Sequence, residues 1–188
     1  MGKGGGRVLR VLISVVVVLA AAGLARAEER LTPNWMTIDA DAKKVQMEVV
    51  AGFNPNNNNW NFNGYYEGGM TVVVPEGWRV AIAFSNQDAN FPHSLVVIAD
   101  PGNEDDLPAQ AGREDVAISR AYSKSPIEGI FSNEQDTVAF TAAPAGGSLL
   151  YCGVPAHGLS GRWVYFTISA EAKEPYVTIA EDAEEGNT

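Results

Sequence analysis

The sequence predicts an all-β sandwich of one domain, with Greek-key connections between its strands. Short runs rich in valine, threonine and aromatic residues recur along the chain, and several of them alternate polar with apolar residues. Glycine, proline, asparagine and aspartate separate these runs, and no pattern of a long helix interrupts them. The 188 residues, 46% hydrophobic and 19% charged, suffice for one packed domain and argue against a disordered chain.

Seven strands are predicted from these runs. Val45, Met47 and Val49 share one face of the first strand, because alternate side chains of a strand point to the same side. Trp78 begins a second alternating run, and Pro75-Glu76-Gly77 before it predicts a tight turn. The predicted strands are residues 44–49, 70–74, 78–85, 94–98, 137–142, 148–152 and 163–169.

Residues 1–27 have the three parts of a secretory signal peptide, namely a basic start, an apolar run and small residues at Ala25 and Ala27. The apolar run over 11–24 is short for a membrane span, which needs about 20 residues. An uncleaved N-terminal anchor is the alternative. We divide the chain into a signal peptide (1–27), an N-terminal extension (28–43), one domain (44–180) and an acidic tail (181–188). We expect export to the periplasm or the extracellular space, with a membrane tether if the segment stays.

The chain is acidic, with a formal net charge of −10 that becomes −14 if the signal segment and its four basic residues are removed. This balance excludes a nucleic-acid binder, because neutralising phosphates requires a basic face. The single cysteine excludes an intramolecular disulfide framework. Because oxidising compartments consume spare thiols, an exported free cysteine is expected to be either buried and inert or bound to a metal.

Two segments fall outside the strand pattern. The run of asparagines at 54–59 predicts a turn-rich surface loop, since asparagine favours turns and tolerates left-handed backbone. Residues 99–136 form a long insertion, and a connection of that length is expected to be functional or locally folded.

The two histidines and the single cysteine all lie at strand ends or in loops. His93 begins a predicted strand, Cys152 ends another, and His157 follows Cys152 across a loop with Gly153 and Pro155. This loop can bring a thiolate and an imidazole onto one metal ion. Two imidazoles and a thiolate are the trigonal donor set of blue-copper sites, so the spacing predicts a mononuclear metal site. Hydrogen-bonded histidines and an inert buried cysteine are the alternative.

Five segments of the chain have the motifs of a known family, namely 152–157 (CGVPAH) followed by Trp163, 92–96 (PHSLV), 61–64 (NFNG), 70–75 (MTVVVP) and 77–78 (GW). They resemble the cupredoxins, and within them the branch of sulfocyanins and rusticyanins. The resemblance covers residues 44–169 and implies a cupredoxin barrel-sandwich that carries one copper ion, cycling between Cu(I) and Cu(II), and shuttles one electron. It implies His93, Cys152 and His157 as the equatorial ligands.

The fourth copper ligand departs from the pattern of this branch. Its members place a methionine five residues after the second histidine, where this chain has Arg162. A guanidinium group offers no lone pair to a metal, so Arg162 is not expected to bind copper. We expect Arg162 to turn outward, with the axial position empty or approached by the Pro92 carbonyl; alternatively it points towards the metal and binds an anion or a substrate. Ser94 is expected to form a hydrogen bond near the Cys152 loop.

These observations predict an exported copper protein, not an enzyme, that transfers single electrons with His157 as the electron exit. Its negative charge favours a basic partner such as a cytochrome or an oxidase domain. The alternatives are an open-site copper enzyme or a sensor of a small molecule such as nitric oxide, and a copper storage or delivery protein. A catalytic zinc site is a minor option because residues 151–169 contain no acid. A cysteine nucleophile lacks a third orienting group.

Overall fold

The computed structural model describes Met1 and residues 29–184. Within these residues, nine strands form two sheets, ordered β1-β2-β4-β6 and β5-β7-β8-β3-β9. The strands are β1 Met36–Asp39, β2 Lys44–Ala51, β3 Met70–Pro75, β4 Arg79–Asn86, β5 Val96–Ala99, β6 Gln135–Thr141, β7 Gly146–Tyr151, β8 Trp163–Ser169 and β9 Tyr176–Ile179. The prediction of a single-domain all-β sandwich is confirmed.

The connections between the strands follow a Greek-key pattern. At every connection from β2 to β7 the chain crosses from one sheet to the other. Two pairs, β2 with β4 and β3 with β8, are consequently parallel, whereas the other neighbouring strands are antiparallel. Parallel neighbours cannot be joined by a tight hairpin, so the connections are long and meet at the ends of the sandwich.

Alternating side chains from the two sheets form the core. Val80, Ile82 and Phe84 on β4 are buried with at most 2% of their surface exposed, as the alternating run predicts, and they share one cluster with Val72 and Phe166 of the other sheet. Burying a side chain of this size contributes about 1.5–3 kcal/mol. The buried faces therefore fix the register of each strand, because a slip by one residue would turn them to solvent.

Two strands were not predicted from the sequence. β1 lies within the segment 28–43 and pairs with β2, and β9 pairs with β3. Each has only four residues, too few for an alternating pattern to stand out. The predicted strands agree with β2 to β8 to within two residues at each end.

The predicted signal peptide lies outside the described residues, apart from Met1. The acidic tail begins with the short helix α1, Glu181–Glu184, and residues 185–188 are also outside the described part. No helix in the described part is long and apolar enough to cross a membrane.

Four loops meet at one end of the sandwich. They follow β2 (residues 52–69), β4 (87–95) and β7 (152–162), and the fourth is the end of the long insertion before β6. The insertion is locally folded, as expected, and it is held by isolated bridges between Ile98 and Val116, between Val96 and Tyr122, and between His93 and Ile130. The predicted metal ligands lie in these loops.

Candidate metal centre

His93, Cys152 and His157 come together at this end of the sandwich. Cys152 follows β7 directly, and antiparallel pairing of β7 with β5 places it beside the loop that carries His93. His157 lies five residues further on, and its backbone N–H donates to the Val154 carbonyl to close a turn at 3.1 Å. All three side chains are buried, and their candidate ligand atoms lie within 4.8 Å of one another.

The three donor atoms form a triangle that fits one metal ion. Its sides are 3.1 Å between the two Nδ1 atoms, 3.6 Å from Cys152 Sγ to His157 Nδ1 and 4.0 Å from Sγ to His93 Nδ1. A circle through the corners of such a triangle has a radius of about 2.1 Å, and bonds from protein-bound metals to imidazole nitrogen and thiolate sulfur are about 2.0–2.3 Å long. Two imidazoles and one thiolate are the trigonal donor set of blue-copper sites, so the residues fit a copper ion.

Asp88 orients His93 from the side away from the triangle. Its Oδ2 lies 3.0 Å from His93 Nε2, and its Oδ1 accepts the backbone N–H of Asn90 at 2.9 Å. Burial would raise the pKa of Asp88, but the hydrogen bond from His93 and the backbone N–H groups lower it below the usual value, so the carboxylate stays charged. The Nε2 proton of His93 is therefore held by Asp88, and Nδ1 presents its lone pair to the metal.

Asp88 was not predicted from the sequence as a residue of the site. The signal that could have identified it is its isolation, because it is the only acidic residue between Gly77 and Ala99 and lies five positions before His93. A lone carboxylate beside a candidate metal-binding histidine is a typical orienting group.

Ser94 holds the cysteine loop, as the sequence analysis expects. Its backbone N–H points to Cys152 Sγ at 3.4 Å, and its hydroxyl accepts the N–H of Gly153 at 2.9 Å. An N–H donor to a thiolate stabilises the negative charge on sulfur. Pro92, which precedes the first histidine, is half-buried.

The long insertion packs against the same loop. Ala111 donates to the Gly153 carbonyl at 3.1 Å, and a Cβ added to Gly153 would lie 2.1 Å from the Ala111 carbonyl oxygen and 2.7 Å from that of Pro126. Ala156 donates to the carbonyl of Ala109 at 2.7 Å. The insertion is therefore a rigid support for Cys152 and His157.

Burial keeps both histidines neutral in the metal-free protein. It lowers the pKa of His93 to about 3, with the charge of Arg162 acting in the same direction and Asp88 opposing. It lowers the pKa of His157 to about 4, again with help from Arg162. Burial raises the pKa of the Cys152 thiol, while Arg162 opposes the rise. Metal binding must therefore displace only the thiol proton, because neutral imidazoles already have a lone pair available for the metal.

Arg162 does not turn outward, and that expectation is wrong. None of its surface is exposed, and its guanidinium carbon lies 5.7 Å from the centre of the Phe62 ring. Nη2 donates a hydrogen bond to the carbonyl of Asn59. Burial lowers the pKa of Arg162 to about 10, which leaves it charged at neutral pH. The physical reason is that backbone hydrogen bonds hold residue 162 inside the ligand loop. The Arg162 carbonyl accepts from the Cys152 N–H at 3.1 Å, and the Arg162 N–H donates to the His157 carbonyl at 3.2 Å.

The asparagine-rich loop is a turn-rich surface loop, as predicted, with none of residues 54–59 buried, and it also contacts the metal centre. Asn57, Asn58 and Asn59 adopt positive φ angles of 47°, 53° and 67°, which asparagine tolerates better than most residues. Asn57 Nδ2 donates to the Ser160 carbonyl at 2.7 Å. The turn places the indole of Trp60 against the ring of His157. The loop therefore covers the second histidine, whose exposed fraction is only 6%.

The two-sheet sandwich and the His₂Cys triangle at its end define a cupredoxin. The sulfocyanin (SoxE) domain family matches residues 32–179, so the chain belongs to this family. The resemblance stated from the sequence is confirmed. The protein is a copper protein of the cupredoxin class that binds one copper ion, with His93, Cys152 and His157 as its candidate site.

Known proteins resemble this chain at low sequence identity. Sulfocyanin from Sulfolobus acidocaldarius is 27% identical over 139 residues, which cover 73% of this chain and 69% of that protein. Reduced auracyanin from Roseiflexus castenholzii is 18% identical, with a TM-score of 0.48 over 66% of this chain and 96% of its own. Rusticyanin from Thiobacillus ferrooxidans is 17% identical, with a TM-score of 0.42 over 72% of this chain and 86% of its own.

Proposed function

We propose that this protein is an electron carrier that transfers single electrons between redox partners through a copper site without a methionine ligand. The observation that carries the proposal is the buried triangle of His93, Cys152 and His157, whose size and donor types suit one copper ion. When bound, copper supplies a one-electron couple. The protein supplies a rigid donor set that need not rearrange when the electron arrives or leaves.

The chain holds these donors in place from several sides. Asp88 fixes the His93 ring, Ser94 braces the sulfur of Cys152, and the insertion supports the loop that follows. Because each ligand is held by the fold rather than by the metal, its position is set before copper binds. Such preorganisation suits an electron carrier better than a delivery protein, whose ligands must release the ion readily.

The electron exit lies at His157 and passes through the aromatic rings that cover it. Trp60 lies 4.3 Å from the imidazole between ring centroids, and Phe91, which is 48% exposed, meets it edge-on at 6.3 Å. The apolar residues Trp60, Phe91 and Leu159, the last 53% exposed, surround this exit. A partner that buries these side chains would come close to the metal.

The charges beside the exit favour a basic partner. A cleft next to the ligand loop is lined by the exposed carboxylates of Glu67, Glu104 and Asp105 together with Leu159. With a net charge of −14 after loss of the signal segment, the protein would attract a cationic cytochrome or oxidase domain at rates that fall with salt. We infer from the N-terminal sequence that this exchange takes place in the periplasm or outside the cell, with a membrane tether if the segment is retained.

The test is the visible and electron paramagnetic resonance spectrum of the Cu(II)-loaded protein beside a Cys152→Ser variant. We expect an intense thiolate-to-copper band that disappears in the variant. Ser119→Ala, at an exposed serine, is the matched control and should leave the band unchanged. A colourless Cu(II) protein, or a band that persists without Cys152, would refute the proposal.

A further inference from the structure

Arg162 carries side-chain N–H groups that form no hydrogen bond with any described residue. Among the residues that the structure describes, its Nε and Nη1 are the only buried side-chain nitrogen or oxygen atoms without a hydrogen-bond partner. Buried polar groups in native proteins nearly always have a partner, and an apparent exception usually reports an ion or a water that completes the site. A fully buried guanidinium is an extreme case, because it carries a charge as well.

No carboxylate in the described part of the chain forms a hydrogen bond with these groups. Asp88 is the buried acid of the site, but its Oδ2 contacts His93 Nε2, and its Oδ1 accepts from the backbone N–H groups of Asn90 and Phe91. Within residues 29–184, the only hydrogen-bond partner of the guanidinium is the neutral carbonyl of Asn59, on Nη2. The positive charge therefore lacks a counter-ion in contact with it.

The guanidinium lies next to the donor triangle. Its backbone is bonded to both Cys152 and His157, and its charge acts on the protonation of all three donor residues. A His₂Cys site with Cu(II) and a thiolate carries one further positive charge. Two neighbouring positive centres with free N–H donors between loops are the setting in which a small anion binds.

We propose that Arg162 makes this metal centre a binding site for a small monovalent anion, of the size of azide or chloride, held by the Nε and Nη1 N–H groups. The proposal rests on the proposed copper site for its effect on redox chemistry, but not for the binding itself. Because the oxidised site is the more positive one, the anion binds it more tightly than the reduced site. By linkage, the anion then lowers the reduction potential, by about 59 mV at saturation if the preference is tenfold.

The experiment titrates azide, and separately chloride, into the full chain in metal-free and Cu(II)-loaded forms. Binding is followed by calorimetry in both forms and by the visible spectrum and the potential in the loaded form. Arg162→Leu removes the donors, Arg162→Lys keeps the charge with different geometry, and Arg79→Leu, an exposed arginine on β4, is the matched control. We expect saturable binding to the wild type and the control, affinity at least tenfold lower in Arg162→Leu, and an intermediate value in Arg162→Lys.

Several outcomes would overturn the proposal. If neither form of the wild type binds the anion, water must accept the hydrogen bonds of Nε and Nη1. If Arg162→Leu binds the anion as tightly as the wild type, the anion binds copper alone. If Arg162→Leu does not fold, an affinity of Arg162→Lys equal to that of the wild type would refute the specific role of the guanidinium. Loss of the copper band with anion binding intact would refute the proposed function and leave this inference standing.

Discussion

The indole of Trp60 lies against the imidazole of His157, with ring centroids 4.3 Å apart and planes inclined by 37°. Phe91 contacts both rings, at 5.9 Å from Trp60 and 6.3 Å from His157. The second histidine of the metal centre is therefore covered by aromatic side chains that come from two other loops. This cover excludes water from the imidazole and is one cause of its burial.

Removing the indole should let His157 titrate closer to its ordinary range. In the metal-free protein, burial lowers the pKa of His157 to about 4, and Trp60→Ala should raise it towards 6.5 because water reaches the ring. The measurement is an NMR titration of the histidine ring protons. Phe53→Ala, at an exposed aromatic residue of the same connection, is the control and should leave the pKa of His157 unchanged. An unchanged pKa in Trp60→Ala would show that the ring is desolvated from elsewhere.

Loss of the Asp88 charge should weaken copper binding. Asp88→Asn keeps a group that can accept from His93 Nε2 but removes the negative charge that makes the imidazole a stronger donor. We expect copper affinity to fall by about 10-fold to 100-fold, as for other outer partners of metal-binding histidines. The copper affinity of the variant is measured by competition with a chelator.

The control for Asp88→Asn is Asp41→Asn, an exposed carboxylate in the turn between β1 and β2. Its copper affinity should equal that of the wild type. Equal affinity for Asp88→Asn as well would mean that the fold orients His93 without the carboxylate.

The sequence predicted the parts of the molecule whose pattern is local. Alternation of apolar residues identified β2 and β4, and the five-residue spacing of Cys152 and His157 identified the ligand loop, because a strand or a tight loop is encoded by neighbouring residues. The short strands β1 and β9 were missed since pairing with longer strands, rather than their own residues, stabilises them.

The surroundings of the metal centre depend on contacts between distant segments. Arginine is mostly exposed in proteins, so Arg162 was expected to turn outward, and the asparagine-rich loop was expected only to form a surface turn. In the structure they bind each other across about a hundred residues of sequence, through the Arg162–Asn59 and Asn57–Ser160 hydrogen bonds. No local pattern reports such a pairing, which only the packed sandwich creates.

Acidification should destabilise the metal-free protein before the carboxylates titrate. The pKa values of His93 and His157 are about 3 and about 4 when folded and near 6.5 when unfolded, so the unfolded chain binds more protons. The stability that the two neutral histidines contribute is therefore complete above pH 6.5. It is lost as the pH falls towards about 4 for His157 and about 3 for His93. The free energy of unfolding should fall by about 1.4 kcal/mol per pH unit for each histidine across most of this window.

Urea unfolding of the metal-free protein at pH 7, 6, 5 and 4.5 measures this slope. His157→Gln should retain about half of it, because only His93 still takes up a proton on unfolding. A free energy of unfolding that stays constant from pH 7 to 4.5 would mean that the histidines are solvated in the metal-free state.

The charge of Arg162 should raise the reduction potential of the copper site. Arg162→Leu removes the charge without adding a donor, whereas Arg162→Met also supplies the thioether that the family resemblance implies at this position. A unit charge about 6 Å away in a medium of dielectric near 20 is worth about 3 kcal/mol, which is roughly 130 mV for one electron. We therefore expect the potential to be lower by up to that amount in Arg162→Leu and lower still in Arg162→Met. Arg79→Leu should leave the potential unchanged.

Voltammetry without added chloride or azide measures the charge effect alone, since a bound anion would offset it. A potential in Arg162→Leu at or above that of the wild type would contradict the expected sign.

The support that the long insertion gives to the ligand loop should be sensitive to a single methyl group. Gly153→Ala would place a Cβ 2.1 Å from the Ala111 carbonyl oxygen, and neither backbone can yield without moving Cys152. Overpacking of this kind costs about 1–3 kcal/mol or more, so we expect lower stability together with weaker copper binding and a shifted thiolate-to-copper band.

Gly147→Ala is the matched control, because its Cβ would meet the nearest atom, on Asp100, at an ordinary 3.4 Å. Urea unfolding measures the stability of each variant, and competition with a chelator measures its copper affinity. Both should be lower in Gly153→Ala than in Gly147→Ala. If Gly153→Ala lost stability but kept its copper affinity and spectrum, the insertion would be a support for the fold and not for the metal ligands.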